Sequence, residues 1–152
     1  MKKTISLTFT FAFIFAVPAL AGEGTNFKPI KDKDLVRAMT GAMMLSEYLD
    51  HGDDIIDFTE LHNKDGSTDY TPKGKPLEKG TWDIVGGDKI CYRYPDSNEH
   101  PGPYCYVIYL REGCYYSYSV ARMTHNGPRD WDNWSYRAVE KGSGNSCAVP
   151  VS

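Results

Sequence analysis

The side chains that could do chemistry are spread along this chain and match no standard catalytic spacing. None of the four histidines lies in an H-E-x-x-H pattern, and the chain contains no G-x-S-x-G nucleophile elbow. A hydrolase would have to assemble a dispersed site, for example His125 with Asp130 or Asp132, because the members of a triad need not be close in sequence. We therefore favour a non-enzymatic role, assign no catalytic residue, and keep this dispersed acidic and histidine site as the enzyme alternative.

A second group of polar side chains has the composition of a metal site without its spacing. The segment from His51 to Asp57 contains three aspartates, and His62 follows shortly afterwards. We interpret the group as a solvated loop followed by the polar face of a strand, because no complete ligand pattern is present. Asp65-Gly66 is likewise explained by a hairpin turn without calcium. The sequence predicts no metal and no other cofactor.

The four cysteines are candidates for disulfide bonds rather than for metal or redox chemistry. Cys91, Cys105, Cys114 and Cys147 allow three pairings. If Cys91 lies opposite Cys105 in a hairpin, both side chains point to the same face, which favours that bond and leaves Cys114 to pair with Cys147. A Cys91–Cys114 bond would instead indicate a different strand register. The nearest neighbours are nine residues apart, which is too far for a C-x2-C zinc pair or a C-x-x-C redox motif.

Aromatic residues provide the candidate binding surface. The chain has eleven tyrosines and three tryptophans, a composition typical of strands that are partly buried and partly wet. Arg129, Trp131, Trp134 and Tyr136 follow a polar loop, where binding residues concentrate. These four residues are the predicted ligand-binding candidates, and sugars or peptides are ligands that such a surface could stack against. The alternative is that one tryptophan plugs an end of a barrel.

The N-terminus predicts export. Lys2 and Lys3 precede an apolar run from Ile5 to Val17, and Ala19-Leu20-Ala21 has the small-x-small form of a signal-peptidase site. We interpret residues 1–21 as a bacterial signal peptide and residues 22–152 as one periplasmic or secreted domain.

The predicted domain has a flexible leader at 22–31. Removing the signal leaves 15 basic and 20 acidic residues, a net charge of −5 that argues against nucleic acid and anionic lipid as partners. No other apolar run approaches the ~20 residues of a membrane span, so we predict no membrane insertion.

Short segments separated by turn signals predict a mainly β fold. Asp32 or Asp34 could cap a helix that stops at 40–41, while 42–49 could extend that helix or begin a strand. Asp-Gly at 65–66 predicts a hairpin.

The strands are expected to place Ile56 and Phe58 on one side, where the same alternation also puts Glu60, and Trp82 and Ile84 together on another strand's face. Later strands are predicted at 80–85, 90–94, 104–110, 114–120 and 134–139. The regular spacing favours an antiparallel meander curled into a half-barrel or small barrel, preceded by a short helix.

An ordered set of short motifs resembles a family of small secreted proteobacterial proteins, mostly of unknown function. The set is Thr40-Gly41, Asp65-Gly66, Gly80-x-Trp82, Ile90-Cys91-Tyr92, Tyr104-Cys105-Tyr106 and Gly113. The resemblance covers roughly residues 35–120 and implies a secreted β-rich domain with a Cys91–Cys105 bridge. It supplies no catalytic residues, and Cys114, Cys147 and the tryptophan-containing tail fall outside its pattern.

These observations favour an exported binding or interaction module stabilised by disulfides. Its partner could be a small molecule, an envelope glycan or a protein. The alternatives are the dispersed hydrolase and a structural component of envelope assembly.

Overall fold

The computed structural model describes residues 26–51, 56–96 and 102–147. One α-helix, α1 (Asp32–Met39), precedes most of the strands. The strands are β1 (Lys28–Pro29), β2 (Met43–Tyr48), β3 (Phe58–His62), β4 (Ser67–Pro72), β5 (Glu78–Val85), β6 (Lys89–Arg93), β7 (Tyr104–Arg111), β8 (Cys114–Ser119), β9 (Met123–Thr124), β10 (Gly127–Pro128) and β11 (Tyr136–Glu140). Short 3-10 turns occupy Leu49–His51 and Val120–Arg122.

Eight strands form a closed antiparallel barrel. Strands β2 to β8 pair in chain order, and β11 enters between β8 and β2 to close the ring. Ala138 of β11 lies opposite Ser46 on one side and Tyr115 on the other. Closure removes the free strand edges that an open sheet would expose. The predicted mainly β fold is confirmed, and the barrel is closed.

Alternation along each strand then separates an interior from an exterior. On β3, Phe58, Glu60 and His62 are buried, whereas Thr59 and Leu61 between them are partly exposed. Trp82 and Ile84 both pack against the interior core, as the sequence predicts. The Asp65-Gly66 hairpin joins β3 to β4 with His62 opposite Thr68.

Helix α1 closes one end of the barrel. Leu35 and Met39, four residues apart on one helix face, are buried against inward-facing Ile90 and Ile108. The helix ends at Met39 as the sequence predicts. The expected aspartate cap is wrong: the N-cap is Lys31, and no side chain bonds to the helix start.

The segment at 42–49, which the sequence left open, forms strand β2 from Met43 to Tyr48. Met44 and Ser46 are buried and their neighbours along the strand are less so, which is the two-residue period of a strand. The closing strand predicted at 134–139 begins later, at Tyr136.

From Phe27 onward, the predicted leader at 22–31 contacts the barrel. Phe27 is buried, and β1 pairs Lys28 with Leu110 and Pro29 with Tyr109. The signal peptide predicted at 1–21 and the leader residues 22–25 lie outside the described residues.

Both predicted disulfides are confirmed. Cys91 and Cys105 are directly opposite each other on β6 and β7, with Cα atoms 4.1 Å apart. Cys114 at the start of β8 bonds to Cys147, which ties the chain after β11 back to the sheet. Two such bonds are typical of an oxidising compartment. In the part of the chain that is described, no helix is long and apolar enough to cross a membrane.

Candidate functional site

The barrel interior contains a cavity of about 300 Å³ at the end opposite helix α1. Its ten lining residues include seven tyrosines, one phenylalanine and two glutamates. They are Tyr48, Phe58, Glu60, Tyr70, Glu78, Tyr92, Tyr94, Tyr104, Tyr106 and Tyr136. We call this cavity the tyrosine cup.

Strand register explains how residues distant in sequence meet in the cup. Glu60 of β3 lies opposite Tyr70 of β4, which in turn lies opposite Glu78 of β5. Tyr92 of β6 lies opposite Tyr104 of β7 in the same way. Because opposed residues share a face, each row of cross-strand neighbours points into the barrel together.

Glu60 is the most deeply buried charged group of the cup, with 4% of its surface exposed. Burial raises the pKa of its carboxyl to about 7, although hydrogen bonds from Tyr94 and Thr68 act in the opposite direction. The Thr68 hydroxyl donates to Oε1 at 3.1 Å, and the Tyr94 hydroxyl donates to the same oxygen. The Glu60 carboxyl therefore changes charge close to neutral pH.

His62 lies at the next inward position of β3, deeper than the cup. Its Nε2 and the Tyr92 hydroxyl are hydrogen bonded at 2.8 Å, and its ring meets the Trp82 ring edge-on at 5.3 Å. Burial lowers the pKa of His62 to about 4. The imidazole is therefore neutral at neutral pH and adds no positive charge beneath the cup.

The aromatic rings of the cup contact one another, and burial raises the pKa values of several of its tyrosine hydroxyls. Phe58 contacts the rings of Tyr48, Tyr70 and Tyr136 with centroids 4.9 to 5.5 Å apart, distances typical of favourable aromatic pairs. At the mouth, the Tyr48 and Tyr70 hydroxyls are 3.0 Å apart. Burial raises the pKa of Tyr106 to about 12.

Burial likewise raises the pKa values of three further cup tyrosines, Tyr48, Tyr94 and Tyr136, well above the ordinary value. At neutral pH the lining of the cup thus consists mainly of neutral rings and hydroxyl groups, together with two ionisable carboxyl groups. It can surround a small molecule, stack against it and hydrogen bond with it. Among the described residues, no group of three or more His, Cys, Asp or Glu side chains could hold a metal ion.

The structure divides the predicted aromatic candidates between two sites. Tyr136 lines the cup. Trp131 and Trp134 lie outside the barrel in what we call the outer aromatic cluster, and neither plugs a barrel end. Arg129 is exposed in the same loop as Trp131. The cluster comprises Phe27, Tyr109, Tyr116, Tyr118, Trp131 and Trp134.

The outer aromatic cluster is closely packed. The Trp131 ring stacks on Phe27 at 4.7 Å and meets Tyr109 edge-on at 5.0 Å. The Tyr118 hydroxyl donates to the Trp131 carbonyl oxygen at 2.8 Å. These contacts attach the 120–134 loop to the outer face of β7 and β8.

The described residues of the hydrolase and metal alternatives do not line the cup. His125, Asp130 and Asp132 are exposed on the 120–134 loop. The metal candidates are separated, because His62 is inside the barrel whereas the Asp57 carboxylate accepts the backbone N–H of Tyr48 at 2.8 Å. Asp53 and Asp54 lie outside the described residues.

Sequence reasoning singled out Tyr136 but neither Glu60 nor the other cup tyrosines, and it considered His62 only as part of a metal group that it set aside. One signal was present: Glu60 was expected to share a strand side with Phe58. A carboxylate on the apolar side of a strand is a buried polar group, and such groups are informative because they are costly.

Comparison with protein-family models, with curated proteins and with solved structures gave no match. The resemblance to small secreted proteobacterial proteins therefore stays a prediction.

Proposed function

We propose that this protein is exported to the periplasm or secreted, and that it binds a small molecule in the tyrosine cup. The observation that carries the proposal is the open, 300 Å³ cavity lined by eight aromatic rings and two carboxyl groups. Binding pockets are typically concave, mostly apolar and provided with a few polar groups that fix orientation. The cup has each of these properties.

The size of the cavity favours a small molecule over a glycan chain or a protein among the partners considered. A volume of about 300 Å³ is at the lower end of the range for ligand pockets. The braced rings and the closed barrel reduce the ordering that binding would require, and so favour affinity. Export is supported by the N-terminal sequence pattern and by the two disulfides.

The binding site can be tested by NMR with para-cresol, an uncharged aromatic probe. The purified protein would carry ¹³C in its tyrosine rings and ¹⁵N in its indole groups, with signals assigned by single substitutions. We expect para-cresol to shift the signals of Tyr70, Tyr104 and Tyr106, and to leave the indole N–H signals of Trp131 and Trp134 in place. Shifts confined to those two indoles, or no shifts at millimolar probe, would overturn the proposal.

Two matched variants sharpen the test. Phe58→Leu removes a ring from the cup, and we expect it to weaken para-cresol binding several-fold. Trp131→Phe reduces the size of an aromatic side chain outside the barrel, and we expect no change in binding. A larger effect of Trp131→Phe than of Phe58→Leu would place the site on the outer aromatic cluster instead.

Export has its own test. N-terminal sequencing of the protein recovered from the periplasm or medium of an expressing bacterium should begin at Gly22. Recovery of protein that begins at Met1 from the cytoplasm alone would contradict the export proposal while leaving the cup proposal untouched.

A further inference from the structure

Among the described residues, the charged groups that line the cup are all of one sign. Glu60 and Glu78 line it, and no Lys, Arg or His is among its ten lining residues. The described residues place no cation in an ion pair with Glu60, whose two hydrogen-bond donors are both hydroxyl groups. A buried carboxylate without a cation is costly, so the site favours any ligand that brings a positive charge.

One oxygen of Glu60 remains available to such a ligand. Thr68 and Tyr94 both donate to Oε1. Within the described part of the chain, Oε2 receives no hydrogen bond, although the side chain is only 4% exposed and lines the cup. A carboxylate can accept about four hydrogen bonds, so Glu60 has unused acceptor capacity directed at the cavity.

The rest of the wall also suits a cation. The negative face of an aromatic ring attracts ammonium groups, and a cage of such rings is the usual recognition site for alkylated ammonium. Seven tyrosines and Phe58 surround the space in front of Glu60. An ammonium group that enters the cup loses its hydration, so it needs both aromatic rings and a counter-ion around it. The cup contains both.

We infer that the cup selects a small organic cation, an amine or an alkylated ammonium, and that Glu60 is its counter-ion. This inference rests on the proposed function, since it names the ligand class of the same cavity. Glu78 adds a second negative charge on the wall of the cup, in the same cross-strand row as Glu60.

The test compares choline with dimethylbutanol, its uncharged isostere with carbon in place of nitrogen. Binding would be measured by isothermal titration calorimetry on the purified protein at pH 8, above the Glu60 pKa of about 7. We expect choline to bind at least about tenfold more tightly than dimethylbutanol, the factor that a desolvated cation–π contact with a counter-ion supplies. Equal affinities for the two probes would overturn the inference.

Glu60→Gln keeps the shape of the side chain and removes its charge. We expect it to reduce the preference for choline over dimethylbutanol to less than about threefold. Glu140→Gln makes the same chemical change at an exposed position outside the cup, and we expect the preference to be unchanged. A Glu60→Gln protein that retains the full preference for choline would overturn the inference.

The pH dependence of choline affinity tests the same role of Glu60 while its carboxyl group is kept. The ionisable groups that face Glu60 are His62 on its own strand and tyrosines from β4, β6, β7 and β11, with Tyr94 just after β6 and Glu78 on β5. Near pH 7 these tyrosines and His62 are neutral. Among the groups named, Glu78 is then the one charged neighbour of Glu60. Choline affinity should therefore fall as the pH drops through about 7.

Tyr94→Phe removes a hydrogen bond that lowers the pKa of Glu60. We expect the midpoint of choline binding to move to higher pH, an effect that a purely structural role for Glu60 would not produce. An unmoved midpoint would count against Glu60 as the counter-ion.

The outcomes separate this inference from the proposed function. If para-cresol binds in the cup and choline does not, the protein is a small-molecule binder and the cation inference is wrong. If neither probe binds, both are wrong.

Discussion

The tyrosine cup and the outer aromatic cluster are both rich in aromatic rings, yet their surroundings differ. In the outer aromatic cluster, the chain's own cations cover the rings: the Arg111 guanidinium lies 5.1 Å from the Phe27 ring centre, and that of Arg137 lies 5.1 Å from the Trp134 ring centre. Among the described residues that line the cup there is no such cation, and the charged groups are carboxyls. Aromatic content alone therefore does not identify a binding site.

The sign of the nearby charge, rather than open space, distinguishes the two regions. A second cavity, of about 500 Å³, borders the outer aromatic cluster at Phe27, Tyr109 and Trp131. The outer aromatic cluster is satisfied by contacts within the chain, and we interpret it as the structure that holds the 120–134 loop on the barrel. The cup differs in that the Glu60 carboxyl has unused acceptor capacity and no cation beside it. We therefore expect substitutions outside the barrel to affect mainly stability and substitutions inside it to affect mainly binding.

The largest effect is expected from the disulfide beside the outer aromatic cluster. Changing both Cys114 and Cys147 to serine releases a link across a sequence separation of 33 residues, which the chain-entropy model values at about 4 kcal/mol. The free energy of unfolding from urea titration should fall by about that amount. Binding of para-cresol below the unfolding transition should persist, and its loss in a folded variant would contradict the separation of the two regions.

Trp131→Ala should be the next most damaging change. It removes ring contacts with Phe27, Tyr109 and Tyr118. We expect a loss of about 3 kcal/mol, at the lower end for a buried tryptophan because this one is partly exposed. Urea unfolding measures the loss, and a change below about 0.5 kcal/mol would show that the ring is a free surface rather than an anchor.

Inside the barrel, Glu60 and His62 should act on stability with opposite signs. The pKa of Glu60 is raised from 4.5 to about 7, so the folded state binds more protons and stability falls as pH rises between those values. The pKa of His62 is lowered from 6.5 to about 4, so stability rises with pH between 4 and 6.5. The two slopes offset each other in the wild type over their shared range.

In the Glu60→Gln variant, the pH dependence of stability that His62 causes should no longer be offset. The stability of the variant should rise by about 3 kcal/mol from pH 4 to pH 6.5, relative to a flatter wild-type profile. At pH 8 the variant should be about 2 kcal/mol more stable than the wild type, which is less than the Glu60 shift implies because an amide accepts weaker hydrogen bonds. Urea titrations across pH measure both differences, and parallel profiles for the two proteins would contradict the assignment.

The smallest effects compare one hydroxyl from each region. Tyr118→Phe leaves the Trp131 carbonyl oxygen without its buried donor and should cost about 1.5 kcal/mol. Tyr70→Phe removes a hydroxyl contact at the mouth of the cup, where water can replace it, and should cost about 0.5 kcal/mol. Thermal or urea unfolding of both variants checks the order, and a reversed order would mean that the mouth of the cup is the more rigid part.

Local patterns were enough to predict much of the fold. The two-residue period of the strands, the Asp65-Gly66 turn and the opposition of Cys91 to Cys105 depend on neighbours close in sequence or in one hairpin. The sequence accordingly predicted a β barrel, its short helix and both disulfides. It also predicted that Glu60 shares one side of a strand with Phe58.

Other features depended on contacts that only the tertiary structure supplies. A short apolar run such as 42–49 is compatible with a helix or a strand until β3 and β11 pair with it. Phe27 is anchored because Trp131, distant in sequence, packs on its ring.

The same limit applies to the site. The sequence alone determined that each strand has two faces and which residues share a face. It did not determine which face is interior, because that depends on β11 closing the ring between β8 and β2. Closure placed Tyr136 inside and left Trp134, two residues earlier, outside with Trp131. It also enclosed Glu60 among rings, and burial of that carboxyl is the physical reason the cup has its charge and its pKa near 7.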